Sequence, residues 1–549
     1  MKSRWLLVSV LLTALAFAGG ICSTVTAAQK GTIIIAQAED PGNLIPVIWR
    51  TEYDQNIEDM LYNSLVVPDK ELKMVGQLAK SWDISADGRT YTFHLHKNVK
   101  WHDGAPFTAR DVAFTFKSMA HPKYDMGATG RVKPIVGFAD YREGKSDDFK
   151  GIKVVDDYTV QFTTDEVYAP FLASLSMGII PEHLLKDKDP SEWAKLPLNR
   201  APIGTGPFKF VQWKTGQYIE VAANKDYFRG APKVDRIITR FGDVNTMLAA
   251  FISKEVDITL APISEVASVK HVPHASIKLA AELNFYYVGL NMRNEHFKNQ
   301  IVRHALAYAI NKEEIVSSII GEYGGVAHDV FPNAHWSHNP NVTKFNYNLE
   351  KAQQLLTEAG YTKNAAGKFE KDGKPLSFVF SVPIGKKERE KTAVLLKQYW
   401  DALGVDCEIR MLDFPTLISK LVPKDKAGKQ RPVTADDFEA FILGYGVETD
   451  PGVDYMSYYH SKTMPPNGYN FCGFVDPKLD KLFDDQFKMT DFNQRKAAFW
   501  KIGKRLSDAQ VWIPIYSQNK PYVANKRVSG FNPDFRGVTF NCEEWGLKE

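Results

Sequence analysis

Between Asn348 and Gly446 the chain alternates helical and strand periodicities with little between them. Asn348 caps LEKAQQLLTEA, which Gly360 ends. LSFVFSV then reads as a strand, Glu388 to Leu403 as a helix closed by Gly404, VDCEIRML as a strand, DFPTLISKL as a helix and DFEAFILGYG as a strand. Strands separated by helices pair in parallel, and such a sheet needs helices on both faces. Open sheets of this kind take ligands outside their strand ends. The last of these strands ends at Gly444-Tyr445-Gly446, so that point is the first candidate for a site.

The first half differs. TIIIAQAE is a β-branched strand, and Asn56 to Leu65 carries apolar residues at helical spacing. Thr90 to His96 alternates Tyr91, Phe93 and Leu95. Thr108 followed by Asp111 predicts a capped helix. YTVQFTT repeats the strand signature, which predicts a mostly β insertion over about 76–200. GTGPFKFVQW, QYIEVAAN and Phe285 to Asn291 follow as strands, TMLAAFISKEVDIT as a helix leading into a strand, and Asn299 to Ala309 and Glu313 to Ile320 as helices. After the long polar stretch 424–437, helices at Pro477 to Lys488 and Arg495 to Leu506 precede the strand VWIPIYS.

Lys2 and Arg4 precede Trp5 to Ala28, a stretch without a charged residue, which is the layout of a secretory signal peptide over 1–28 with cleavage after Ala27 or Ala28. Cys22 lacks the flanking residues of a lipidated cysteine. The remaining chain has length for two to four domains of about 150 residues. A net charge of +3, to which Lys2 and Arg4 contribute, leaves no footprint for nucleic acid.

No phosphate loop, nucleophile elbow, zinc-protease motif or calcium loop occurs, so neither a catalytic role nor a cofactor is expected. The histidine pairs His94/His96, His271/His274 and His335/His338 lack further ligands at metal spacing, so no metal is expected. Cys407 falls in a strand and reads as a core thiol. Cys472 and Cys542 sit in polar, loop-like contexts, which makes a Cys472–Cys542 disulfide one candidate pairing.

The stretch AKSWDISADGRTYTFHLHKNVKWHDGAPFTARDVAFTF resembles the signature region of the peptide/nickel class of bacterial solute-binding proteins, extracellular solute-binding family five. GTGPFKF, NKDYFRGAPKVDRI, YYVGLNMRNEHFKNQIVRHALAYAINKEEI and NLEKAQQLLTEAGY follow in family order. The resemblance implies an α/β fold of two lobes joined by a hinge, with an extra small β-rich domain. It places lobe one at 29–296, lobe two at 297–515 and a C-terminal segment, 516–549, returning to lobe one. It also implies a periplasmic, monomeric receptor that closes on a solute and hands it to the permease subunits of an ABC importer.

In peptide binders of that family an Asp after a Gly-aromatic pair holds the ligand's α-ammonium. The resemblance points here to Glu448, with Asp450 two residues on, and to Tyr445, Gly446 and Phe414 as cleft residues. Asp450 before Pro451 also suits a turn, and Glu448 a solvated surface. Tyr53, Asp54, Tyr286 and Tyr287 complete the candidate contacts, although each aromatic suits a core equally well. Ile442 stands where some relatives carry a basic residue for ligand carboxylates, which keeps nickel-chelate, haem, opine and sugar ligands open beside short peptides. A hydrolase built on Glu448 and Asp450, and a chaperone-like or signalling receptor using the same cleft, are the readings from other classes.

Overall fold

The computed structural model describes residues 31–48 and 51–548; the proposed signal peptide and Cys22 lie outside them. Among the described residues, three sheets organise the chain into two α/β lobes. The first lobe is built on a seven-stranded sheet, in which Thr32–Gln37 runs parallel to Arg236–Phe241 and to Ile258–Leu260. Ile33, Ile35, Ile237 and Val221 on one face pack with Phe531, Cys542 and Trp545 of the C-terminal segment. That segment returns because Lys520–Asn525 pairs antiparallel with Ala275–Ala280 and Ile258–Leu260.

A four-stranded antiparallel sheet, Ala79–Ile84, Thr90–Leu95, Thr159–Thr163 and Ile152–Asp156, forms the insertion in this lobe. Its strand faces alternate as the sequence does: Tyr91, Phe93 and Leu95 are buried with Phe116, Val160 and Phe162. The helix Ala109–Ala120 covers them, and its start is fixed by a capping box in which Thr108 and Asp111 exchange bonds. The strands end at Thr163, and short helical turns fill the rest of the predicted β region, among them Phe171–Ser174 and Glu182–Leu185. GTGPFKF joins insertion to sheet. Gly206 N–H donates to Leu61 O at 2.9 Å, and a Cβ on Gly204 would lie 1.8 Å from that oxygen, so the backbones approach where a side chain cannot fit.

The second lobe is a six-stranded mixed sheet in the order Gly324–Val326, Trp512–Gln518, Asn284–Leu290, Ala440–Gly446, Ser377–Pro383, Asp406–Leu412. The alternating region supplies its parallel part, Ser377–Pro383 beside Asp406–Leu412 and Ala440–Gly446. Both faces are buried: Val288, Leu290 and Ile442 enter one core, Phe285, Tyr287, Phe441 and Leu443 the other. Asn348 and Gly404 cap their helices as read.

Two differences bear on function. Asn284–Leu290, kept in lobe one by a boundary at 297, pairs with Ala440–Gly446 and Trp512–Gln518 and feeds both cores of the second sheet. The first helix spans Glu52–Leu61, a turn earlier than its apolar spacing suggests, because Thr51 and Asp54 form a capping box ahead of the apolar face.

Candidate ligand-binding cleft

The chain passes from the first sheet to the second between Ala280 and Asn284, and back between Gln518 and Lys520. Two short crossovers side by side make a hinge, because a few backbone torsions there can rotate one sheet against the other. The parallel strands of the second sheet end at Pro383, Leu412 and Gly446 on the edge where Asn284 begins, so that edge faces the hinge and the first lobe.

The lobes also touch away from the hinge. Ala169 N–H of the insertion donates to Phe487 O at 2.8 Å, the Tyr168 and Phe487 rings stack at 5.6 Å, and Lys488 lies 3.7 Å from Glu166. Leu72, at the tip of a lobe-one hairpin, is buried in the lobe-two core beside Leu283 and Phe285 and holds φ at +63°. Such a backbone costs about 1–3 kcal/mol, and burying a leucine contributes about 1.5–3 kcal/mol. The two nearly offset, which suits a contact made and broken as lobes move.

Past Gly446 the chain forms an acidic loop. His335 Nε2 lies 3.0 Å from Glu448 O, and Trp336 Nε1 donates to Thr449 O at 3.0 Å, so main-chain bonds fix the loop while the Glu448 side chain stays exposed. Burial pushes the His335 imidazole down to about 4, so it is neutral at physiological pH. Asp454, in the first turn of the helix Gly452–Tyr459, is half-buried beside Tyr445. Burial, then the Glu448 and Asp450 carboxylates, push its carboxyl up to about 7 against the pull of Tyr445 and of Arg131 from lobe one. Across the gap, the Tyr168 hydroxyl is raised by burial and by Asp450 and Asp454. Tyr445 is hemmed by Tyr455, Tyr458, Phe285 and Trp512 at ring distances of 5.2–6.1 Å. Sequence reasoning passed over Asp454; its one signal is the spacing Asp450-Pro-Gly-Val-Asp454, which sets a second carboxylate one helical turn beyond the loop.

Three of the candidate contacts prove structural. Asp450 is held by Arg495 through both guanidinium nitrogens, its side chain 13% exposed, while Gly452 N–H donates to it at 3.0 Å and Gln486 braces the arginine. Its charge is already matched, so it is no free anchor. Asp54 is spent on the cap, accepting from the N–H groups of Gly42, Asn43 and Thr51. Tyr287 stacks on Trp512 at 3.9 Å inside the core. The Cys472–Cys542 pairing is corrected as well: both are buried free thiols in the cores of different lobes, raised by burial, Cys472 to about 12. Iodoacetamide applied under denaturing conditions without reductant should therefore alkylate Cys407, Cys472 and Cys542 alike; two unlabelled cysteines by mass would contradict this.

The other candidates lie at the cleft edge. Gly446 is exposed, Phe414 is 51% exposed at the first turn of its helix, and Tyr53 is half-buried with its hydroxyl raised by burial and by Glu39 and Glu52. Tyr286 stacks on Tyr516 at 4.7 Å beside the hinge. The histidine pairs find protein partners instead of each other: His94 Nε2 lies 2.9 Å from Asp83, and His338 Nδ1 3.0 Å from Phe331 O.

The family model for bacterial extracellular solute-binding proteins, family 5 (middle), matches residues 73–466. This chain is a family 5 solute-binding protein. It is 29% identical over 528 residues to the oligopeptide-binding protein AppA of Bacillus subtilis, covering 94% of this chain and 92% of AppA. Heme-binding protein A of Haemophilus influenzae is 28% identical over 92% of this chain and 90% of its own length. Among solved structures, CtaP of Listeria monocytogenes superposes with a TM-score of 0.82 at 26% identity, covering 94% of this chain and 99% of CtaP. NikZ of Campylobacter jejuni, solved with Ni(L-His), gives 0.76 at 26% over 94% and 100% of the two chains. AppA with a nonapeptide gives 0.74 at 28% over 94% and 99%. The two-lobed fold of this family 5 protein is thus shared along nearly its whole length with proteins whose named solutes differ chemically.

Proposed function

We propose that this protein is the capture subunit of an ABC importer, exported by its signal peptide to the periplasm, and that it takes short peptides by their free amino terminus. It binds and releases without turnover and docks as a monomer, loaded and closed, on the importer's permease subunits. The observation that carries this reading is Asp454: a half-buried carboxylate walled by Tyr445, Tyr455 and Tyr458 and, among the described residues, without a basic nitrogen within 4 Å. Burying a carboxylate is costly without a cation close by. A ligand ammonium donating to Asp454, with Glu448 adding its field, is the cation that fits, and lobe one closes over it with Tyr168 and Arg131. The same reading is supported by AppA, solved with a nonapeptide.

The pH dependence follows with a definite sign. Asp454 must be ionised to receive an ammonium, and its carboxyl titrates at about 7. Affinity for a peptide should fall by up to about tenfold per pH unit as pH drops below 7. It should level off above 7 and fall again once the α-amino group, of ordinary pKa about 8, loses its proton. Calorimetric titration of one peptide with a free and one with an acetylated amino terminus from pH 5.5 to 9 tests this. The free peptide should show the peak between 7 and 8, and the acetylated one should bind weakly at every pH. Equal binding of the two would overturn the ammonium anchor.

A further inference from the structure

A second ionic cluster lies at the hinge itself, apart from the acidic loop. Glu282 sits in the first crossover, Lys520 opens the strand that follows the second, and Glu52 opens the helix Glu52–Leu61. Lys520 Nζ lies 2.6 Å from Glu52 Oε1 and 3.5 Å from Glu282 Oε1. We propose that Glu52, Lys520 and Glu282 form a hinge clasp, tying the two crossovers together, whose state of charge sets how readily the lobes part.

Three observations support it. Among the described residues, the covalent links between the two sheets are these crossovers, so a bond from Glu282 to Lys520 spans both at once, where any rotation of the lobes must strain or release it. The Glu282 and Lys520 side chains are 21% and 29% exposed, unlike most surface ion pairs, so they are little screened. The groups around them come from both lobes. Glu52, Tyr53 and Tyr522 belong to the first, and Tyr286, with Arg389 and Glu388 beyond it, to the second.

Burial pushes the Glu282 carboxyl up to about 7, Lys520 drawing it down and Glu52 adding to the rise. Burial works against the Lys520 ammonium too, but Glu282 and Glu52 outweigh it and raise its pKa. A rotation of the lobes that admits water to Glu282 would return its carboxyl toward the ordinary value of about 4.3, since burial is the largest cause of its rise. The closed form therefore holds the extra proton between those limits. Closure is favoured fully below the ordinary value and loses this contribution as pH rises through 7. One such group changes the closed-to-open ratio by up to about tenfold per pH unit within that window. Asp454, raised to about 7 by burial between the lobes, acts in the same direction in ligand-free protein and has to be removed from the comparison.

Spin labels on Lys153→Cys and Val394→Cys, exposed positions on the two lobes, report closure in the ligand-free full chain, since the native thiols of the described residues are buried. The measurement needs no ligand, so it stands or falls separately from the peptide reading. In an Asp454→Asn background the interlobe distance distribution should shift to its short component as pH falls from 8 to 5.5. Adding Glu282→Gln should make it the same at both pH values. Lys520→Met, which removes the cation opposing protonation, should move the midpoint of the shift to higher pH. An equal shift with and without Glu282→Gln, no shift at all, or an unmoved midpoint in Lys520→Met would overturn the clasp.

Discussion

Replacing Asp454 with Asn should weaken capture of a peptide with a free amino terminus by about 2–5 kcal/mol, the cost of truncating one partner of a desolvated charge pair. That is roughly thirtyfold to several thousandfold in Kd. The unfolding midpoint should stay the same or rise, because the substitution removes a half-buried carboxylate pushed up to about 7 by burial and by Glu448 and Asp450. Glu448→Gln should cost less than about 1 kcal/mol of binding, since its side chain is exposed and its field is screened. Fluorescence or calorimetric titration beside a denaturant curve separates the two effects. An Asp454→Asn protein that binds as tightly as the parent would mean that the ammonium, if any, is held elsewhere.

Arg495→Met should have the opposite profile, a large loss of stability. It leaves the Asp450 carboxylate buried without its bidentate partner and takes from Gln486 Oε1 the donors it now accepts from. Breaking a buried pair from one side costs about 3–5 kcal/mol. Followed by urea unfolding, the second-lobe transition should move to clearly lower denaturant. Asp450→Asn added to Arg495→Met should recover part of the loss, because the orphaned charge is then gone. Had Asp450 been a ligand anchor, Asp450→Asn would instead abolish binding and leave the unfolding midpoint in place, so one pair of variants decides between a brace and an anchor.

Much of the fold was legible because its determinants are local. Asn348, Gly360 and Gly404 punctuate helices through their own backbone and side-chain bonds, and Thr108 with Asp111 closes a box three residues wide. Where a local signal was outweighed, the reading slipped. The apolar spacing from Ile57 to Leu65 predicts a helix shifted toward its C-terminus, but Thr51 and Asp54 start it earlier and Leu65 leaves it for the extended segment that follows. The span after Thr163 carries no period of either kind, and it folds into single turns. The lobe boundary escaped because strand Asn284–Leu290 looks the same in either sheet until its partners, Ala440–Gly446 and Trp512–Gln518, are known.

The cleft was legible in outline and not in its roles. The acidic loop after Gly446 was found from the strand end and the family pattern. Whether a carboxylate there is free depends on residues far along the chain: Asp450 is matched by an arginine 45 positions away. Asp454 has no basic nitrogen within 4 Å among the described residues, and its near neighbours are tyrosines. The same distance problem hid Lys520, whose partners Glu52 and Glu282 come together only when the C-terminal segment returns to the first sheet. Cys472 and Cys542 looked pairable in sequence, yet each belongs to a separate hydrophobic core.

The central claim, that this family 5 protein closes on peptides held by a free amino terminus, is tested most directly by identifying what the purified protein carries. The protein is measured intact by native mass spectrometry and then denatured to release its ligand for sequencing. The released ligand should be a mixture of short peptides with unblocked amino termini, lost from Asp454→Asn protein purified alongside. A single non-peptide species, a metal chelate, or peptides retained equally by Asp454→Asn would contradict it.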